Sequence, residues 1–265
     1  DLDFRVESNG NANAIFVNGG TDSVTIGASG IVQTVGGIPF FTRASLNSIY
    51  THDVSGTDAT AENNTAYGFG AMDAITTGDH NTAIGKGALS ANTTGASNVA
   101  IGVQALTNPD IENHNTAIGT GSMNSAINGG EFNTAVGSTT LNSLTSGDEN
   151  IAIGYQAGKA LTTGSSNVFI GANSAQTGVI TGSNNIGIGP TTTQKLTSGA
   201  NNIGIGANAL QDTTTGASNT AVGYTAGKDI TTGDFNTAIG QGAGSAITTG
   251  NRNTILGVST GDAIT

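Results

Sequence analysis

The chain has 265 residues, of which 42 are Gly and only 9% are charged, with no Cys and no Trp. So few large side chains exclude an ordinary globular core, and apolar surface has to be buried in thin repeated layers or against other chains. A formal net charge of −11 with only seven Lys and Arg disfavours nucleic acid and anionic membranes as partners, and no apolar run approaches the ~20 residues of a membrane span.

Residues 1–30 hold short alternating runs, FRVES, AIFV and SVTIG, split by Asn-Gly and Gly-Gly turns. They are expected to form a small β module. Residues 31–63 break that pattern and read as an irregular linker or cap. Phe40, Phe41 and Tyr50 form a local bulky cluster there, suited to covering the open end of a stacked structure.

From residue 64 to residue 265 one unit returns again and again. It begins at Asn64, Asn81, Asn98, Asn115, Asn133, Asn150, Asn167, Asn185, Asn202, Asn219, Asn236 and Asn253. The step is 17 residues, stretched to 18 at Asn115→Asn133 and Asn167→Asn185. A fixed period of this kind signals a repeat architecture. With each Asn as position 1, position 2 is Thr, Val or Ile, position 3 is mostly Ala, position 4 is apolar and position 5 is Gly. The alternation has the period of a strand. It predicts that positions 2 and 4 line the core, with Ile153 and Ile188 buried. The Asn-Ala-Gly face is then flat and open to another chain.

The second half of the unit alternates bulk between two places. Leu89 and Leu106 at position 9 go with Asn92 and Pro109 at position 12, whereas Gly158, Gly227, Gly244 and Gly261 go with Leu161, Ile230, Ile247 and Ile264. One large side chain per unit is required in one place, as volume matching in a packed interior demands. Thr-Thr-Gly or a variant then closes the turn. The prediction is an all-β parallel β-solenoid, or β-roll, of twelve coils of 17–18 residues, a rod on the order of 55 Å long at ~4.8 Å per coil. Stacking puts the twelve Asn side chains in one column, where amides form ladders. The sequence stops one Thr short of a completed turn, which points to a segment of a longer protein.

The runs NTAIG, AL and TTG resemble two groups. One is the head of trimeric autotransporter adhesins, whose repeats form left-handed parallel β-rolls packed as trimers. The other is phage tail fibres, and the N-terminal segment 3–27 is similar to one that precedes such runs in them. The resemblance covers residues 64–265. It implies a homotrimer, intertwined or side by side, located on a virion or, alternatively, at a bacterial surface. It also implies a structural, non-enzymatic role as stiff spacer and host-attachment element. The partners would be further copies of the chain, other tail or fibre proteins, and a glycan or protein receptor on the host. The same role as a bacterial extracellular adhesin is the alternative. An ice-binding rod built on stacked Thr-Thr corners and a polysaccharide-degrading tailspike are minor ones.

Little chemistry is written into the chain. His80 and His114 precede the motif Asn two coils apart, and Asp79, Asp148 and Asp234 follow the turn Gly. Both sets read as solvated corners, with no metal or other cofactor expected. The pairs Asp148-Glu149 and Asp110-Glu112 sit on bends and lack the opposed placement that glycoside hydrolysis needs. The better recognition candidates are aromatic. Phe69, Tyr155 and Tyr224 occupy position 6, while His80, His114, Phe132 and Phe235 stand just before the Asn. Such residues on a rigid scaffold contact receptors or glycans, or else they pack on neighbouring loops.

Overall fold

The computed structural model describes residues 6–8, 11–18, 23–25, 33–35, 38–43, 48–50, 60–108, 111–125 and 128–261. Pro109, Asp110 and Ile264 therefore lie outside the described residues. The first three strands, β1 (Val6–Ser8), β2 (Asn11–Asn18) and β3 (Ser23–Thr25), form an antiparallel sheet in the order β1-β2-β3. Residues 33–50 supply β4 (Gln33–Val35), β5 (Ile38–Arg43) and β6 (Ser48–Tyr50), antiparallel to one another. Strand β6 then pairs parallel with β7 (Thr65–Tyr67), so these three strands continue the sheet of the repeats.

The repeats form a parallel β-solenoid. Twelve three-residue strands, from β7 to β18 (Thr254–Leu256), stack in parallel with like residues opposite like, as Thr65↔Thr82, Ala66↔Ala83 and Tyr67↔Ile84. Eleven steps of about 4.8 Å give a rod of about 53 Å. Hydrogen bonds between coils continue around the rest of the circumference. Leu89 N–H donates to Ala105 O at 3.1 Å, Thr76 N–H to Thr93 O at 2.9 Å, and His80 N–H to Glu62 O at 2.9 Å. Many buried backbone groups thus find their partner one coil away, and others close i→i−3 turns within the coil, as Ala88 N–H does to Gly85 O at 3.2 Å, which is what lets so thin a layer stay folded.

The strand faces are the reverse of the sequence expectation. The position-3 residues point inward: Ala66, Ala83, Ala100, Ala117, Ala135, Ala152, Ala221 and Ala238 are buried. Positions 2 and 4 point outward, and Ile153 and Ile188 are 39% and 36% exposed. The small-residue face is therefore inside the coil and is not available to another chain. The reason is the width of the coil. A Cβ built on Gly158 at position 9 would lie 3.4 Å from the Cβ of Ala152 at position 3. The two walls almost touch there, and a residue larger than Ala at position 3 fits only where facing glycines leave it room, as at Phe169 and Ile255.

Bulk enters the interior from positions 9 and 12 instead. Met72, Leu89, Leu106, Met123, Leu141 and Leu210 at position 9 are buried, as are Ile75, Leu144, Leu161, Leu196, Ile230 and Ile247 at position 12. Where position 9 is Gly, neighbouring side chains take the volume. A Cβ on Gly227 would meet Ile230 Cδ1 at 2.9 Å and Leu210 Cδ2 at 3.1 Å. Large residues at position 3 obey the same rule. Phe169 is buried between Ala152 and Gly187 in the sheet register, and a Cβ on Gly187 or Gly158 would come within 3.2 Å of its ring. Ile255 reaches toward Gly261, where a Cβ would lie 2.7 Å from its Cδ1.

Three bends per coil use left-handed backbone. Position 9 has φ of 54° at Met72 and 45° at Leu141, and the residue before each Asn has φ near 60°, as at His80 (59°) and Phe235 (60°). Position 7 does likewise, with 56° at Gln156. Side chains seldom adopt this region, and the coil-to-coil hydrogen bonds hold them there. Position 5 is stricter. Gly154 has φ +127°, and a Cβ on it would sit 2.9 Å from the carbonyl carbon of Gly171 in the next coil. Only Gly satisfies both conditions.

Candidate functional site

Two ladders of side chains run along the corner that leads into the strand. Eleven of the twelve motif Asn residues are buried, and Asn253 is half-buried. Asn150 is representative. Its Nδ2 donates to Asn133 Oδ1 and to Gly164 O, both at 3.0 Å, while its Oδ1 accepts from the backbone N–H of Asn167 at 2.9 Å and from Asn167 Nδ2 at 3.0 Å. The same backbone bond recurs from Asn81 N–H to Asn64 Oδ1 at 2.7 Å and from Asn253 N–H to Asn236 Oδ1 at 3.0 Å. Asn is the residue for this column because an amide carries acceptor and donors together, without charge.

The second ladder is one that the sequence reading missed. The side chain two residues before the Asn accepts a backbone N–H from the preceding coil. Asp79 Oδ1 accepts from Glu62 N–H at 2.8 Å, Asp148 Oδ1 from Glu131 N–H at 2.9 Å, and Asp234 Oδ1 from Ala217 N–H at 2.8 Å. Ser165 and Ser183 do the same with Oγ at 3.0 Å. The acids expected to be plain solvated corners are therefore structural acceptors. The available signal was the recurrence of Asp, Asn or Ser at that slot in seven units. The first Thr of the Thr-Thr corner is engaged too, since Thr76 Oγ1 donates to Thr93 O at 2.9 Å.

The aromatic candidates stand at the bends on either side of the strands, just before position 1 or at position 6. Phe69 is 81% exposed, and Tyr155, Tyr224, Phe132 and Phe235 are all more than half exposed. His80 and His114 are exposed as well. One stacked pair forms: the His114 and Phe132 rings lie 4.9 Å apart with planes 7° from parallel. The Arg252 guanidinium lies 5.5 Å from the centre of the Phe235 ring, and His80 Nε2 meets Asn63 Nδ2 at 3.3 Å. Nothing gathers the rest into one place. Phe69, Tyr155 and Tyr224 stand five and four coils apart, on the order of 20 Å each time. His80 and His114 are separated by two coils, about 10 Å. Among the described residues no three His, Asp or Glu side chains converge as a metal set.

Charge collects elsewhere, on the corner at positions 10 and 11. Lys195 Nζ lies 2.8 Å from Asp212 Oδ1, and Lys228 Nζ lies 3.1 Å from Asp229 Oδ1 and 4.0 Å from Asp212 Oδ2. The hydrogen bond and charge of Asp229, helped by Asp212 and opposed by slight burial, raise the Lys228 pKa above its ordinary 10.5. A short glutamine stack borders this cluster, with Gln211 Nε2 donating to Gln194 Oε1 at 3.1 Å and Gln194 Nε2 to Gln176 Oε1 at 3.4 Å.

No protein-family model, no curated protein and no solved structure matches the chain.

Proposed function

We propose that this chain is a structural, non-enzymatic segment of a homotrimeric phage tail fibre, a stiff spacer that carries host-attachment surfaces on the virion. The observation that supports this reading is the outward column at position 4. It places Tyr67, Ile84, Ile153, Ile188, Ile205, Ile239 and Leu256 on the outer face of one parallel sheet, each between 36% and 75% exposed. Position 2 adds Ile151, Val168, Ile186 and Ile203 beside it. A continuous apolar stripe of this length is what an interaction surface presents. Fully burying an Ile side chain is worth about 1.5–3 kcal/mol, so covering the exposed part of position 4 contributes on the order of 10 kcal/mol per chain over twelve coils.

The occupant of the stripe in this reading is a second and third copy of the chain, each laying its own sheet against the others. A closed cyclic assembly covers every stripe equally and leaves no sticky edge. The count of three follows the resemblance of the NTAIG-type repeats to trimeric adhesin heads. The edge aromatics Phe69, Phe132, Tyr155, Tyr224 and Phe235 stay at the rims, where weak contacts to a host glycan or protein receptor add up through several copies.

Sedimentation equilibrium at micromolar concentration tests the reading. The expected mass is about three times the 26.0 kDa of the chain. A folded, soluble monomer under those conditions refutes it.

A further inference from the structure

Glu112 is the only buried carboxylate among the described residues, 2% exposed. It stands at position 15, where most units have the turn Gly. Its own carbonyl still serves the Asn ladder, accepting from Asn98 Nδ2 at 2.8 Å. Its side chain reaches one coil onward, and Oε1 accepts from the backbone N–H of Gly129 at 2.8 Å. Its Oε2 accepts from the N–H of Ile111 at 3.1 Å, which fixes the carboxylate plane.

The residue before Gly129 is Asn128, and both are exposed. They fill the slots that hold Thr-Thr in most coils. Asn128 N–H donates to Thr145 O at 2.5 Å, the bond that Thr76 N–H makes to Thr93 O elsewhere. Gly129 has φ +102°, and a Cβ on it would meet nothing within 4 Å. An Asn-Gly pair is thus held with open space around the glycine and a carboxylate on its nitrogen.

We propose that Asn128-Gly129 is a self-modifying site at which Glu112 is the base for cyclisation of the asparagine side chain onto the next backbone nitrogen. Glu112 Oε1 takes the proton from Gly129 N. The nitrogen lone pair forms a bond to Asn128 Cγ. The Cγ–Nδ2 bond then breaks, the leaving nitrogen receives the proton from Glu112, and ammonia departs. The product is a five-membered succinimide. Water adds to one of its two carbonyl carbons and opens the ring, giving either an aspartyl residue or an isoaspartyl linkage. No oxidant, reductant or cofactor is consumed, and Glu112 is regenerated. The geometry meets the first requirement of a general base, a heavy-atom distance within hydrogen-bond reach of the proton it removes. Gly at the attacking position presents no side chain against the approach. Either outcome adds a negative charge at this corner, and the isoaspartyl form lengthens the main chain by one carbon beside the bond to Thr145. The site is independent of the fibre reading.

The test incubates the purified full chain near neutral pH and follows the peptide containing Asn128 by mass spectrometry, for loss of ammonia and then gain of water. Glu112→Gln keeps an oxygen that can accept the Gly129 N–H and removes the base. Conversion is expected to slow by about tenfold or more in that variant, the lower side of what a positioned base supplies. Equal or faster conversion in Glu112→Gln means that the carboxylate only fastens the loop, and overturns the proposal. So does an Asn128 that stays intact in the folded wild-type chain while it deamidates in urea. Should Glu112→Gln fail to fold, the wild-type pH profile decides. A rate nearly flat between about pH 6 and pH 8 supports the carboxylate as base, and a rate proportional to hydroxide overturns it.

Discussion

Replacing Asn150 with Ala removes an amide from the middle of the buried ladder. Gly164 O loses the donor at 3.0 Å and the Asn167 backbone N–H loses its acceptor at 2.9 Å. Asn133 Oδ1 keeps the bond from the residue 150 N–H, and Asn167 Nδ2 keeps Gly182 O. Two buried backbone groups are left without partners, each costing about 1–3 kcal/mol, so the loss is about 2–6 kcal/mol. At the ladder's far end Asn253 is half-buried, and Ala there removes the bond to Asn236 Oδ1 at 3.0 Å, for about 0.5–1.5 kcal/mol. Asn150→Asp adds a pH signature. The ionised carboxylate keeps the acceptor role but faces Gly164 O and Asn133 Oδ1 without a donor, which raises its folded pKa above the unfolded value of about 3.9. The native state then binds the extra proton, so stability is highest below that value and falls as the pH rises through the folded pKa. Urea unfolding at fixed protein concentration, with hydrogen exchange to localise the effect, reads all three variants. Asn150→Ala costing no more than Asn253→Ala would refute the ladder as a source of stability.

Phe169→Ala should cost about 3–5 kcal/mol in denaturant unfolding, because its cavity is walled by backbone-rigid coils that collapse poorly. Ile153→Asp should leave the coil folded, since the side chain is 39% exposed, and should reduce the sedimenting mass toward that of a monomer; extensive unfolding of the isolated chain would show that the outward face is wrongly assigned. Asp212→Asn should shift stability by no more than about 1 kcal/mol and lose even that in high salt, as exposed pairs do. The Lys228 contribution should be present up to its unfolded pKa of 10.5 and disappear as the pH rises through its raised folded value, visible as a high-pH decline that Lys228→Met abolishes. Incubation with surface polysaccharide should yield no new reducing ends, and release that Asp148→Ala abolishes would revive the tailspike alternative.

The solenoid was legible because the period is strict and the Asn at position 1 fixes where each coil begins. The trading of bulk between positions 9 and 12 was legible too, and Gly227 with Ile230 gives it a distance. The orientation of the strand was not. The rule that β-branched residues go inside holds when the interior has space, and a period gives the length of a coil but not its width. Only the near contact of Ala152 with the position of Gly158 decides that Ala goes in and Ile153 goes out. The left-handed bends at Leu89 and Leu141 were hidden for a similar reason. Leu is a poor residue for positive φ, and its presence reflects the volume it fills. For the aromatic candidates, composition named the residues, while their spread over separate coils depended on counting units between them.

Phe169 gives the rod an uneven grammar. A unit such as 81–97, with Met72 before it and Leu106 after it at the same slot, could be deleted or copied and its neighbours would meet equivalent surfaces. The stretch from Gly158 to Gly187 cannot be edited that way. One aromatic ring there draws its space from glycines in the coil before and the coil after, so three successive units are matched to one another and not to the consensus. Length variants arising by recombination between repeats should therefore gain or lose whole coils outside residues 150–201 and keep those residues together, a fixed word inside a sentence that can otherwise be lengthened in steps of about 4.8 Å.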